Sequence, residues 1–437
     1  MRIIQLTPGT GSFYCGTCLR DNALVSALIR QGQDAFLIPL YLPPALDEAS
    51  ATENAPVFYG GVNVYLQQKS ALFRRTPRWF DRLLDAPGVM QAAAKRSGST
   101  QPQELGDLTL STLRGEDGNQ VKELERLAEW LASDGRADVI CLSNALLIGL
   151  ARRIKEKTGA AVVCTLQGED YFLDLLPEPY RAQSWQTLAE RAQGVDAFVA
   201  VSRYYADTMT RRAQLPPERV HVVYNGILLD GYPSPDAPPA PAPAPPALGF
   251  LSRMCALKGL ETLVQAYLLL RRSGRIPDLK LRIAGTKTAA DEPYVERMRG
   301  LLQEAGFLAD AEFLPNISRA EKIDFLKSLT VFSVPATYGE SFGLYLLEAW
   351  AAGVPVVQPR HAAFPELLDL TGGGLLCEPN DPHALAAALE RLFCDAEQAR
   401  ELGCAGQRAV YERFHVERMA QDVLSVFEQA ARNARRA

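Results

Sequence analysis

The stretch Pro335-Ala-Thr-Tyr-Gly-Glu340-Ser-Phe-Gly-Leu-Tyr-Leu-Leu-Glu348-Ala-Trp-Ala-Ala-Gly-Val-Pro-Val-Val357 decides the reading of this chain. An apolar strand pattern, Val331–Val334, leads into it, and a second, Val354–Gln358, closes it. Between them a loop of small residues gives way near Phe342 to a helical pattern, Gly343–Ala352. Strand, loop, helix and strand in that order is one step of a parallel α/β winding. Glu340 stands just before the helix, where backbone N–H groups and the helix dipole favour anions and oxygen-rich ligands. Glu348 follows about two turns on, roughly 12 Å along the axis. Carboxylates so spaced suit a ligand with hydroxyls at two separated places, because an ionised carboxylate accepts hydrogen bonds from diols. Leu346, Leu347, Ala349 and Trp350 flank Glu348, which predicts a carboxylate in apolar surroundings that needs a partner.

The winding extends outward from there. Strand patterns at Leu248–Leu251, Lys280–Ala284, Glu312–Leu314 and Gly374–Cys377 alternate with helical ones at Leu260–Arg271, Tyr294–Ala305 and Pro382–Phe393. A long helical pattern, Val416–Arg435, ends the sequence given. In the first half, strands are expected at Ile3–Leu6, Ala35–Pro39, Val62–Leu66, Val139–Leu142, Ala161–Thr165, Ala197–Val201 and Val220–Tyr224. Helices are expected at Leu19–Arg30, Val121–Ala132, Ala145–Lys157 and Arg203–Ala213. Between the halves, proline recurs from Pro233 to Pro246 at a density that supports neither helix nor central strand, so a semi-rigid linker falls there. The expected fold class is α/β: two doubly wound, Rossmann-like domains facing each other across a central cleft, with ligands beyond the carboxyl ends of the strands. Residues 70–118 do not fit the alternation. The arginines and aromatics of segment 72–80 suit contact with an anionic lipid surface or an acceptor, or else a solvated helix with a few packed aromatics, and the last reading is favoured.

A chain of 437 residues is too long for one ordinary core, which agrees with two domains. Apolar residues at 47% and charged residues at 22% are the balance of a soluble globular protein. The net charge of -5 argues against a nucleic-acid surface, and no run approaches the roughly 18 apolar residues that span a bilayer. MRIIQLTPG reads as a strand and turn rather than a signal peptide, and the 8 scattered cysteines read as reduced thiols, so a cytoplasmic location is expected. Cys15 and Cys18 have redox spacing, but no second Cys/His pair accompanies them. With 4 histidines, none in the first half, neither a histidine zinc site nor a Ser-His-Asp triad is supported, and no metal is expected.

Two further loops carry chemistry. Arg253 and Lys258 follow the first strand of the second half, and two cations at the mouth of a sheet suit a diphosphate whose departing charge they neutralise without a metal. The turn Pro8–Gly16 follows the first strand of the chain, but Gly9, Gly11 and Gly16 do not have the dinucleotide spacing, which disfavours an NAD-linked oxidoreductase. That turn is either a place for a ligand to approach the backbone or a simple tight turn.

Taken together these features resemble the retaining glycosyltransferases of family 4, with the GT-B architecture. The resemblance covers essentially the whole chain and is sharpest over 248–395, where Arg253, Lys258-Gly, Asn316, Glu340-Ser-Phe-Gly-Leu, Glu348-Ala and Ala-Gly-Val-Pro-Val fall in the family's order. It implies an N-terminal acceptor domain over 1–235, a linker over 236–246, a nucleotide-sugar domain over 247–415, and a closing helix within 416–437 that packs back on the first domain. It implies that Glu340, with Ser341 and the backbone N–H groups of Phe342, Gly343 and Leu344, holds the donor sugar. Glu348 would hold the ribose diol, Arg253 and Lys258 the diphosphate, and the loop from Asn316 and Ile317 to Ser318 would lie near the base. Gly11 and Gly16 are assigned to the donor side, in place of the family's glycine pair. Where the family carries His-Gly, this chain has Gln167-Gly168-Glu169-Asp170. Gln167 can hydrogen-bond a sugar but cannot take a charge, and Glu169 and Asp170 read equally as acceptor-side groups or helix-start acids. The implied reaction moves a sugar from an NDP-sugar, as substrate and without a cofactor, to a hydroxyl acceptor with retention. The rival readings are a non-catalytic sugar-nucleotide-binding module and a sugar-nucleotide epimerase.

Overall fold

The computed structural model describes residues 1–9, 16–46, 48–52, 58–59, 64, 67–68, 105–237 and 243–436. Gly11, Cys15, segment 72–80 and all but one residue of the strand expected at 62–66 lie outside them. The described residues form two units, Met1–Tyr224 with Val416–Ala437, and Asn225–His415.

In the first unit the chain runs β1 (Arg2–Thr7), α1 (Gly16–Arg30), β2 (Asp34–Pro39), α2 (Gly106–Leu113), α3 (Val121–Trp130), β3 (Val139–Leu142), α4 (Ala151–Thr158), β4 (Ala161–Leu166), α5 (Glu169–Asp174), α6 (Tyr180–Ala192), β5 (Ala197–Ala200), α7 (Arg203–Arg212) and β6 (Val220–Val222). The strands pair in parallel in the order β2-β1-β3-β4-β5-β6. Helices over both faces explain why β3 and β4 are buried at every residue and read as unbroken apolar runs. The region that did not fit the alternation contributes α2, a helix packed against α6 rather than a strand step.

The second unit runs β7 (Ala247–Leu251), α8 (Leu260–Ser273), β8 (Lys280–Gly285), α9 (Glu292–Glu304), β9 (Ala311–Pro315), α10 (Arg319–Lys327), β10 (Val331–Phe332), α11 (Leu344–Ala351), β11 (Val356–Pro359), α12 (Phe364–Thr371), β12 (Gly374–Cys377), α13 (Pro382–Cys394) and α14 (Ala396–Arg413). Its parallel order is β12-β11-β10-β7-β8-β9, a doubly wound arrangement whose order reverses between β7 and β10. Trp350 of α11 is fully buried and donates from Nε1 to the Gly373 carbonyl at 2.8 Å, fixing that helix over the sheet.

The chain passes between the units at Tyr224, not at the proline-rich stretch. Residues 225–235, expected in the first domain, are held by the second. Ile227 N–H donates to the Phe414 carbonyl (3.0 Å), Arg319 Nη2 to the Asp230 carbonyl (2.8 Å), and Gln407 Nε2 to the Pro233 carbonyl (3.0 Å). Proline density marks where helix and strand stop, whereas these bonds set the boundary. The last helix, α15 (Val416–Ala434), belongs to the first unit: it packs on α1 and across β3, β4 and β5 through Met419, Val423, Phe427 and Ala430. No helix among the described residues is long and apolar enough to cross a membrane.

Candidate functional site

In the second unit, the loops after β7 and β10 leave neighbouring parallel strands at the point where the order reverses, which is where doubly wound sheets bind ligands. The loop after β7 carries Arg253 and Lys258, and the loop after β10 carries Glu340. Gly259 lets them meet. It adopts φ +74°, and a Cβ there would fall 1.8 Å from the Pro335 carbonyl oxygen, so only glycine allows the two loops to press together. Thr337 N–H then donates to the Leu257 carbonyl at 2.9 Å and locks the contact.

Lys258 Nζ consequently donates to Glu340 Oε2 at 2.5 Å and to the Tyr338 hydroxyl at 2.6 Å. Tyr338 and Tyr345 donate to the same oxygen at 2.9 and 3.1 Å. Glu340 is only 8% exposed. Burial pushes its carboxyl up, but the Lys258 charge and the bonds from Lys258, Tyr338 and Tyr345 outweigh burial and hold it below the ordinary carboxylate value. The site therefore keeps a buried anion at neutral pH beside a cation with a third N–H still to give.

Arg253 is bound elsewhere. Its Nε and Nη2 grip Asp291 at 2.9 to 3.2 Å, and Asp291 also accepts from the Thr288 N–H and hydroxyl at 2.9 and 2.7 Å. Burial pushes the Asp291 carboxyl up, and the Arg253 and Thr288 bonds bring it below its ordinary value. With its side chain 43% exposed, Arg253 is a braced surface cation.

The two glutamates differ in burial, and the expected partner of Glu348 is present. Glu348 is half-buried, not enclosed in apolar surroundings, and pairs with Lys322 of α10 at 2.7 Å. Glu340 is the enclosed one. Of the flanking residues, Ser341, Phe342 and Gly343 are buried, Leu344 is half-buried, and the N-terminal turn of α11 starts at Leu344. Asn316 is occupied: its Oδ1 accepts from Lys287 N–H and its Nδ2 donates to the Lys287 carbonyl, each at 3.0 Å. It ties the loops after β8 and β9, with Ile317 half-buried beside it and Ser318 capping α10.

In the first unit, Gly16 is exposed and opens α1. Gly9 sits at φ +75° with the Leu42 carbonyl 1.6 Å from where a Cβ would stand, so there the backbone meets its own chain. Gln167 Nε2 donates to the Ser143 carbonyl at 2.8 Å, joining the loops after β3 and β4. Glu169 fastens the same loops: its carboxylate accepts from the N–H groups of Ala145 and Gln167, both at 2.7 Å, and from the Tyr205 hydroxyl at 3.1 Å. Tyr205 also lies 3.0 Å from Asp170 Oδ1, so one phenolic proton serves two buried carboxyls. Burial holds both above their ordinary values despite these bonds. Ser143 donates in turn to the buried Asp21, which is paired with Arg20.

Sequence reasoning missed Tyr338, Tyr345, Asp291, Lys322 and Tyr205. Only Tyr338 and Tyr345 stood inside a motif already singled out. Among the described residues, no group of three or more His, Cys, Asp or Glu side chains could hold a metal ion.

Comparison with known proteins bears on the chain as a whole. The family model for glycosyl transferases group 1 matches residues 237–409, and that for glycosyltransferase family 4 matches residues 108–230. The α-maltose-1-phosphate synthase of Mycolicibacterium smegmatis is 30% identical over 411 residues, covering 87% of this chain and 98% of that one. A D-inositol 3-phosphate glycosyltransferase of Xylanimonas cellulosilytica is 30% identical over 253 residues, and there the match spans 54% of this chain and only 58% of the relative. Among solved structures, the sucrose-phosphate synthase of Thermosynechococcus elongatus matches with a TM-score of 0.71 at 19% identity over 98% of both chains. Anabaena HepE in complex with UDP-glucose matches with a TM-score of 0.65 at 16% identity over the whole of both. At those identities the structures speak for the fold.

Proposed function

The chain belongs to the family 4, group 1 glycosyltransferases, and on that premise we propose that it moves a sugar from a nucleoside diphosphate sugar to a hydroxyl acceptor, with retention and without a metal. The observation that carries this reading is the Lys258–Glu340 pair at the strand-order reversal, a cation and a buried carboxylate side by side. Lys258 and Arg253 take the diphosphate, Glu340 accepts from a hydroxyl of the sugar, and Glu348 accepts from the ribose diol. The segment that enters α11 adds backbone donors from Phe342, Gly343 and Leu344. The bond from the anomeric carbon to the diphosphate breaks, and the bond to the acceptor oxygen forms on the same face. The acceptor proton passes to a diphosphate oxygen, so no protein base is called on. Positive charge at Lys258 and Arg253 stabilises the leaving group as its charge grows. Gln167 and Asp170 are assigned to the sugar or acceptor side, whereas three bonds bind Glu169 into the loop framework.

The UDP-glucose bound to Anabaena HepE supports a sugar nucleotide as donor. The names of the two relatives support an acceptor that is a small polyol or sugar phosphate. No disulfide joins the described cysteines, which supports a reducing compartment such as the cytoplasm. The test is product formation or slow hydrolysis with UDP-, GDP- and ADP-sugars, in chelator, with the anomeric configuration of the product read by NMR. Full activity in the Arg253→Ala, Lys258→Ala double variant would sink the leaving-group assignment, and inversion or loss of activity in chelator would sink retention or metal independence.

A further inference from the structure

All three donors to the Glu340 carboxylate converge on a single oxygen. Lys258 Nζ, the Tyr338 hydroxyl and the Tyr345 hydroxyl reach Oε2 at 2.5, 2.9 and 3.1 Å. Among the described residues no donor meets Oε1, and Oε1 is not one of the fully enclosed unbonded atoms, so it is the oxygen a ligand reaches. The hydroxyls come from fixed places. Tyr345 lies in the first turn of α11, nearly fully buried, with its ring tilted against Phe332 at 6.2 Å between centroids. Tyr338 lies two residues before Glu340 and takes a bond from Lys258 while giving one to Glu340.

Lys258 is the one cation in this set, and the function proposed above assigns it to a diphosphate. An ammonium has three N–H groups, of which Glu340 and Tyr338 occupy two. A diphosphate at the third draws the Lys258 charge toward itself, and Glu340 would then face a desolvated site with its neutralising partner shared. The two phenols do not compete in that way, since neither carries charge that phosphate would attract.

We propose that Tyr338 and Tyr345 are positioning residues for the donor sugar: together they hold Oε2 of Glu340, so that Oε1 alone meets a sugar hydroxyl, and they keep that hold when the diphosphate engages Lys258. The inference rests on the reading of Lys258 as diphosphate ligand and Glu340 as sugar ligand. Neither hydroxyl acts on the reacting atoms, and both act through Glu340.

The test compares calorimetric affinities for UDP-glucose, GDP-mannose and ADP-glucose with those for UDP, GDP and ADP. Tyr345→Phe and Tyr338→Phe, which keep the rings, are each expected to shift the ratio of sugar-nucleotide to nucleotide affinity about tenfold against the sugar nucleotide, as loss of one bond to a charged group predicts. Affinity for the bare nucleotide is expected to stay within about twofold. Glu340→Gln is expected to shift the same ratio in the same direction. A merely structural role would lower both affinities together, and that result, or an unchanged ratio in both phenylalanine variants, overturns the inference while leaving the function intact. A wild type that binds none of the six compounds overturns the function itself, and the inference with it. Should Tyr345→Phe fail to fold, Tyr338→Phe decides, because its ring is only half-buried.

Discussion

Replacing Lys258 by methionine keeps most of the stem and removes the charge that faces Glu340. The pair is 2.5 Å apart, with side chains 20% and 10% exposed, so it is neither a surface pair nor a fully sealed one. Removing one partner of a buried pair costs about 3–5 kcal/mol, because the other charge is left without its counterion. The two phenolic bonds remain, which places the expected loss at the lower end, about 3 kcal/mol at neutral pH. The loss is pH-dependent. In the wild type the Glu340 carboxyl is held below its ordinary value, so it contributes stability above the unfolded pKa that is lost as pH falls through the folded one. Without Lys258, burial dominates and the folded carboxyl moves above the unfolded value. Its penalty is then greatest at high pH and relieved as the group takes a proton, so the gap between the proteins narrows in acid. Hydrogen exchange of the α11 amides measures this within the second unit, where a single global unfolding curve mixes two units. Trp350, the one tryptophan in 225–415, gives a second local signal. A loss below about 0.5 kcal/mol at pH 7.5, the range of an ordinary surface change, would refute the reasoning. So would a Lys258→Met, Glu340→Gln double variant no more stable than Lys258→Met.

Other expectations follow from single contacts. Gly259→Ala places a Cβ 1.8 Å from the Pro335 carbonyl at a positive φ, so the loops after β7 and β10 must part; thermal unfolding is expected to show a loss of at least about 2 kcal/mol, with nucleotide binding falling further than in Gly306→Ala, whose surroundings are open. Tyr205→Phe removes the one proton shared by Glu169 and Asp170 and is expected to cost about 2 kcal/mol at neutral pH in urea unfolding. Both carboxyls already lie above their ordinary values, so the stability they withhold grows as pH rises and the Tyr205→Phe deficit shrinks as pH falls; a deficit that grows in acid would contradict the shared-proton reading. Phe427→Ala empties a fully buried position on α15 and is expected to cost about 3–5 kcal/mol, with faster hydrogen exchange in α1 and β4 and none of comparable size in α11.

The winding was legible because a parallel strand buried on both faces is an unbroken apolar run, as in Val139–Leu142, and needs no partner to be seen. The site loops were legible as well: Arg253, Lys258 and Glu340 each follow such a run. What the sequence did not show was which glutamate is the more enclosed: Glu348 has the partner its neighbours called for, but Glu340 is the buried one. Apolar neighbours in sequence point to other sides of a helix, and of the residues three and four positions from Glu348, Tyr345 and Ala351 are buried while Leu344 and Ala352 are half-buried, so Glu348 stands at the edge of the apolar face. Nothing near Glu340 in sequence tells that Lys258, 82 residues earlier, folds against it. Separation in sequence likewise hid Asp291 from Arg253 and Lys322 from Glu348. The 225–235 segment was misassigned for a related reason, since composition marks where regular structure stops while backbone bonds to Phe414 and side-chain bonds from Arg319 and Gln407 decide which unit owns the segment.

The ownership of α15 bears on the order of events during synthesis. The second unit is one uninterrupted stretch and has all its parts once His415 has been added. The first unit is begun earlier and completed later: residues 1–224 precede the second unit, yet the helix that covers α1 and β3, β4 and β5 is translated after it. At 5–20 residues per second the intervening stretch takes roughly 10–40 s to make. Throughout that interval the apolar face that will receive Met419, Val423 and Phe427 lies uncovered on the nascent chain. That face is where a ribosome-associated chaperone would be expected to bind, and where a truncated transcript would leave the protein open to aggregation.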